Sequence, residues 1–142
     1  MPSIVGTWKL ARAAARDAAG AALPEPYGGK GIGRVTFTAE GRMMSVVCDG
    51  SPELPPGIRR EYSSYCGTYT FDGSQLVTRV DAALDPSRIG SDQVRGVRFE
   101  DGLMILSPPR AALAGARNIA RLPGSALPLN DSPSRCSGEG GR

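Results

Sequence analysis

From Arg34 to Ser107 the chain is cut into short runs of period-two alternation, and the cuts are turns. Arg34–Thr38 sets Val35 and Phe37 against Arg34, Thr36 and Thr38. Ala39-Glu40-Gly41 then turns it back into Arg42–Cys48. Tyr65–Phe71 and Gln75–Ala83 flank Asp72-Gly73-Ser74. Asp92–Glu100 and Leu103–Ser107 flank Asp101-Gly102, and Asp-Gly is the strongest short hairpin signal because both residues accept positive φ. Period two places alternate side chains on opposite faces of a strand. Upstream, Ile4, Gly6, Trp8 and Leu10 alternate with Val5, Thr7 and Lys9, and Ala11–Arg16 extends this first strand. Seven strands joined mostly by hairpins predict an all-β fold, an antiparallel up-and-down barrel or a sandwich. A barrel removes the exposed edges that an open meander would leave.

The connections are rich in helix breakers. Asp17–Gly20 reads as a turn, and Leu23–Gly33 and Asp49–Gly57 read as loops. Ile58–Ser64 suggests a short helical turn, and Asp85-Pro86-Ser87 with Gly90 breaks the chain again. After Pro108-Pro109 the alternation stops. Ala111–Leu122 predicts at best a weak amphipathic helix, and Pro123–Arg142 has a disordered composition. The expected division is therefore a barrel over 1–109 and an Ala/Pro/Gly/Ser-rich tail over 110–142. Ala, Gly, Arg and Pro supply 63 of the 142 residues, the mark of a GC-rich genome, so alanine runs are weak evidence for helix here.

Charge separates along the same line. The formal net charge is +3, yet residues 1–108 balance twelve Lys and Arg against twelve Asp and Glu. The excess lies in residues 109–142, so the patterned part lacks the basic footprint of a nucleic-acid module. The sequence contains 0 His, which excludes Ser-His-Asp and Cys-His catalysis and any histidine-based zinc site. The segment Gly28–Gly33 has no P-loop pattern and no following helix, and it reads as a barrel-mouth loop. No stretch is apolar enough for a membrane helix, and the N-terminus has no signal-peptide pattern. Three cysteines, Cys48, Cys66 and Cys136, are widely spaced and odd in number. They predict free thiols and a cytoplasmic protein. No cofactor, metal, nucleic acid or membrane partner is implied.

Specific residues then resemble a known family. Gly6-Thr7-Trp8-Lys9-Leu10 is similar to the G-x-W signature of lipocalins. Tyr27-Gly28, Gly33–Thr38 with Glu40–Met43, Tyr65–Tyr69, Gly90–Arg95 and Leu106–Pro109 follow in order. Together they resemble the bacterial lipocalin-like domain family over about residues 4–109. The resemblance implies a small single-domain barrel. Relatives often carry His where this chain has Thr78-Arg79, and they end in a further strand with a Trp-Glu-Arg-like ending that nothing after Pro109 matches. The resemblance also implies an arginine from the last strand against Trp8, for which Arg117 and Arg121 are the nearby candidates. The segment from about 111 onward reads either as a degenerate or frame-shifted replacement of the eighth strand or as a variant C-terminus that does form a strand or a capping helix. With that strand missing, Leu103–Ser107 would be an open edge and a route to a homodimer.

Parity selects the candidate site. Tyr65, Gly67, Tyr69 and Phe71 share one strand face, and Met43, Ser45 and Val47 share another. Leu76, Thr78 and Val80 are the expected inward set of their strand. In the next strand the inward set is Gln93, Arg95, Val97 and Phe99. An arginine inside a barrel calls for an acceptor, which another side chain or a ligand could supply. Tyr65, Tyr69, Met43, Arg95, Phe99 and Gln93 are therefore the candidate ligand-binding residues. Trp8, Gly6 and Gly67 are the candidate structural ones, with Trp8 plugging one end. No pair of carboxylates has a spacing that fixes acid–base geometry, so no catalytic residue is assigned. These features suggest a binding protein with a small apolar or amphipathic ligand in its barrel. The alternatives are an isomerase- or cyclase-type barrel enzyme using Tyr and Arg, and a degenerate or structural protein with an incomplete barrel.

Overall fold

A computed structural model of the chain describes residues 3–15, 19, 21–24, 26–108 and 115–121, with backbone only at 15 and 115–121. The strands are β1 (Gly6–Ala15), β2 (Gly31–Phe37), β3 (Arg42–Asp49), β4 (Tyr62–Phe71), β5 (Gln75–Ala83), β6 (Asp92–Glu100), β7 (Leu103–Ser107) and β8 (Gly115–Arg121). Each pairs antiparallel with its neighbours in sequence, and β8 pairs with β1, so the barrel is closed. This is the expected up-and-down all-β barrel.

The final strand corrects the expectation for the tail. Residues 115–121 form a strand where a weak helix was expected, with Leu10 and Met104 both opposite Ile119. Arg121 stands opposite Trp8, and Arg117 opposite Ala13 and Leu106. β7 is thus paired on both sides, which removes the open edge on which the homodimer and the incomplete-barrel alternative both rested. The remainder of the segment 110–142 and most of Asp17–Gly20 lie outside the described residues. Two smaller corrections concern the loops. Ile58–Glu61 carries no helical turn, and the chain enters β4 at Tyr62. Gly31–Gly33, expected in a loop, already belongs to β2. No helix among the described residues is long and apolar enough to cross a membrane.

Connection lengths alternate around the barrel. The links β2–β3, β4–β5 and β6–β7 are tight turns, and they gather at one end. The long links after β1, β3 and β5 leave from the other. The tight-turn end is packed solid by Ile4, Trp8, Phe37, Leu76, Val97 and Met104. There the indole N–H of Trp8 donates to the Ile4 carbonyl at 2.9 Å. Phe37 meets Tyr69 edge-on at 5.2 Å, and the Tyr69 hydroxyl donates to the Thr38 carbonyl at 2.7 Å. Two irregularities set which side chains reach this interior. A register shift between Leu10 and Arg12 moves the inward positions of β1 from Trp8 and Leu10 to Ala13. A second shift pairs Cys66 with Ala82 but Gly67 with Val80, leaving Asp81 as the extra residue of a bulge. Asp81 there receives the Arg42 guanidinium and the Cys66 thiol.

Four aspartates are held below the ordinary carboxylate range. Asp49 and Asp85 each accept from the hydroxyl and N–H of a serine two residues on, Ser51 and Ser87. Asp72 accepts from the N–H groups of Ser74 and Gln75 in the β4–β5 turn, and Asp81 is held chiefly by its hydrogen bond from Arg42. A lowered folded pKa contributes stability that is present above the unfolded value of about 4 and is lost as pH falls through the folded values. The urea midpoint should therefore hold steady from neutral pH to about 5 and decline below about 4. Asp72→Asn should lower the neutral midpoint and shrink the acid loss.

Candidate functional site

Above the packed end the barrel encloses a cavity of about 250 Å³ that opens toward the long loops. Its walls come from alternate residues of adjacent strands. Val35 and Phe37 of β2, Met43 and Val47 of β3, Leu76 of β5 and Leu106 of β7 supply its apolar side. Gly33, also inward, keeps space open: a Cβ there would stand 2.9 Å from Val47 Cγ2. Within the barrel the polar residues of the lining are Arg34, Ser45, Tyr65 and Arg95. Pro26, Tyr27, Glu61 and Pro108 line its outer rim.

Of the residues expected from parity, Met43, Tyr65 and Arg95 line the cavity together. Arg95 is half-buried opposite Leu76, with one guanidinium nitrogen on the Val94 carbonyl at 2.8 Å. Tyr65 carries the Arg88 guanidinium over its ring at 4.3 Å, and Arg88 in turn donates to Gln93 Oε1 at 2.6 Å. Gln93 is thus next to the site without lining it. Tyr69 also lies outside the cavity, at the packed end, where burial is the first cause that pushes its phenol up. Phe99 corrects an expectation: it is 37% exposed rather than inward. It lies past Gly96, the last β6 residue paired with β5, so nothing closes over it on that side.

Gly67 and Trp8, two of the structural candidates, are not among the residues that line the cavity. Gly6, the third structural candidate, is buried at the start of β1 with φ 129°. Cys48 and Cys66 are free thiols. Among the described residues no group of three or more His, Cys, Asp or Glu comes together to hold a metal.

Two rim residues escape sequence reasoning. Tyr27 is buried in a 3-10 turn (Tyr27–Gly29), and its N–H donates to Glu61 Oε2 at 2.9 Å across the mouth. Neither residue belongs to a strand, so parity cannot find them. The available signal was an aromatic residue inside a Pro/Gly loop.

A closed up-and-down barrel, packed at one end and hollow toward its long loops, is the architecture of a calyx. The chain belongs to the lipocalin-like domain family, whose sequence pattern matches residues 5–120 and so takes in β8. Among solved structures it is similar to a variant of the fluorescent protein UnaG, at 12% identity and a TM-score of 0.40. That match covers 83% of this chain and 95% of the other. No curated protein sequence matches it.

Proposed function

We propose that this protein binds a small apolar or amphipathic molecule inside its barrel. The observation that carries this reading is the cavity itself, with an apolar side and a few polar residues, the usual composition of a ligand site. At about 250 Å³ it lies just below the range of roughly 300–1,000 Å³ common for drug-sized ligands, so its ligand is compact. In this reading Met43, Val47 and Leu106 hold the apolar body. Arg95, Tyr65 and Ser45 orient a polar group.

Native mass spectrometry of the purified protein should show a bound small molecule that leaves on denaturation. Ser45→Phe places a ring in the cavity without touching the packed end. It should weaken binding of a neutral fluorescent apolar probe by at least about tenfold, the equivalent of 1.4 kcal/mol. Thermal stability should stay close to that of the parent. Undiminished probe binding in a folded Ser45→Phe protein would sink the reading.

A further inference from the structure

We propose that Tyr27 sets the size limit of the ligand: the segment Pro26–Lys30 is a strap across the cavity mouth, with Tyr27 as its inward anchor and Glu61 as its tether. The inference rests on the binding reading above and specifies the ligand class, a compact molecule held between the barrel floor and the strap.

The strap has an unusual backbone. Tyr27, Gly28 and Gly29 are three successive residues with positive φ, 58°, 64° and 70°. The left-handed region suits glycine, but it costs an aromatic residue conformational energy that its surroundings must offset. Three contacts do so. The Tyr27 N–H is held by Glu61 from the facing loop at 2.9 Å. The next residue sits directly on β3: a Cβ on Gly28 would lie 2.7 Å from Asp49 Oδ2. Asp49 is itself buried and braced by Ser51, while Arg60 donates to its carbonyl at 2.6 Å, so this ledge is firm. Beyond the turn, Gly50 N–H donates to the Lys30 carbonyl at 2.7 Å.

The result is a tyrosine only 8% exposed, turned toward the cavity and packed where Gly31 leaves room beside Leu10. Tyr27 lines the cavity at the rim, opposite the floor made by Phe37 and Leu76. A ligand longer than the space between that floor and Tyr27 must displace the ring, break the Glu61 contact and lift the strap off Asp49. The floor and the ring together bound the length of a ligand that fits without moving the strap.

The test uses the full chain and n-alkan-1-ols from pentanol to dodecanol, followed by NMR chemical-shift titration, with circular dichroism to confirm folding. In the parent, affinity should rise with each methylene up to a limit short of dodecanol and then fall. Tyr27→Gly removes the ring and the backbone strain but keeps the N–H that Glu61 holds. It should move the limit outward and raise dodecanol affinity by at least about tenfold, the gain from burying two further methylenes. Tyr27→Phe should keep the parental limit. Glu61→Ala, at an exposed side chain, should shift the limit in the same direction as Tyr27→Gly, and Glu61→Gln, which keeps an acceptor oxygen, should restore it. Binding that retains the parental limit in both Tyr27→Gly and Glu61→Ala overturns the size-limit role while leaving the binding reading intact. Failure of every alkanol to bind either the parent or the variants overturns both.

Discussion

Gly67→Ala should destabilise the protein by about 3 kcal/mol or more, a loss at the high end for adding one methyl group. The glycine lies in β4 beside the bulge that expels Asp81. A Cβ built on it would stand 1.9 Å from the Arg79 carbonyl oxygen, 2.7 Å from the Arg79 carbonyl carbon and 3.0 Å from Val80 Cα. All three are backbone atoms of β5, so no rotamer change relieves the overlap. Either β5 retreats and breaks the β4–β5 ladder, or the bulge shifts and turns the inward set Leu76, Thr78 and Val80 toward solvent. These three side chains are 2%, 1% and 1% exposed, so the second route exposes fully buried groups. Urea titration of Gly67→Ala should show the lower midpoint, and a thermal melt should fall on the order of 10–15 °C. Gly96→Ala is the control, because its nearest foreign atom would be 3.9 Å away and its midpoint should scarcely move. Equal midpoints for the two variants would mean that the strands do not approach as closely as described.

The same residue marks what can be read from the chain and what cannot. Gly67 between Tyr65 and Tyr69 signals space or a close neighbour, and alternation alone does not choose between them. Only the register shift at Cys66 and Gly67 brings β5 backbone into that space. The boundaries of β5, β6 and β7 were legible because Asp-Gly-Ser and Asp-Gly turns mark where they begin or end. β8 was not, because Gly-Ala-Arg-Asn-Ile-Ala-Arg contains one large apolar residue. Its strand character comes from two partners, β1 and β7, rather than from its own pattern.

The site shows a second limit of parity. Alternation tells which face a residue occupies but not its height in the barrel. Met43, Tyr65 and Arg95 share the inward face at cavity level. Tyr69 shares that face lower down, against Phe37, and Phe99 stands at the rim of the packed end. Height follows from strand tilt and stagger, which hydrogen-bond pairing across the closed barrel determines. Rim residues from loops, Tyr27 and Glu61, obey no period at all.

Trp8→Ala should cost about 3–5 kcal/mol, the largest single loss expected from the packed end. Trp8 is 3% exposed and touches the cluster of Ile4, Val35, Phe37, Met43, Leu76, Val97 and Met104. Deleting its ring removes the transfer free energy of a large apolar group. It also leaves a void that neighbours anchored on five other strands cannot all move to fill. Trp8→Phe separates packing from hydrogen bonding. It keeps a ring in the cluster but leaves the Ile4 carbonyl without the indole N–H, and should cost about 1–3 kcal/mol. The larger loss for alanine should appear in urea midpoints followed by circular dichroism, since the chain has a single Trp and the variants lose its fluorescence. Trp8 is also where the barrel closes, paired with Val35 on β2 and opposite Arg121 on β8. Hydrogen exchange in Trp8→Ala should therefore accelerate first at the β1–β8 seam and least at β3–β4. Trp8 does not line the cavity, but Phe37, Met43 and Leu76 belong both to its cluster and to the lining, so the folded fraction of the variant should still bind the alkanol probes, with a size limit equal to or larger than the parental one. Loss of binding in proportion to unfolding fits this division of the barrel. Loss of binding in a fully folded Trp8→Ala protein would show that the packed end and the cavity are one site.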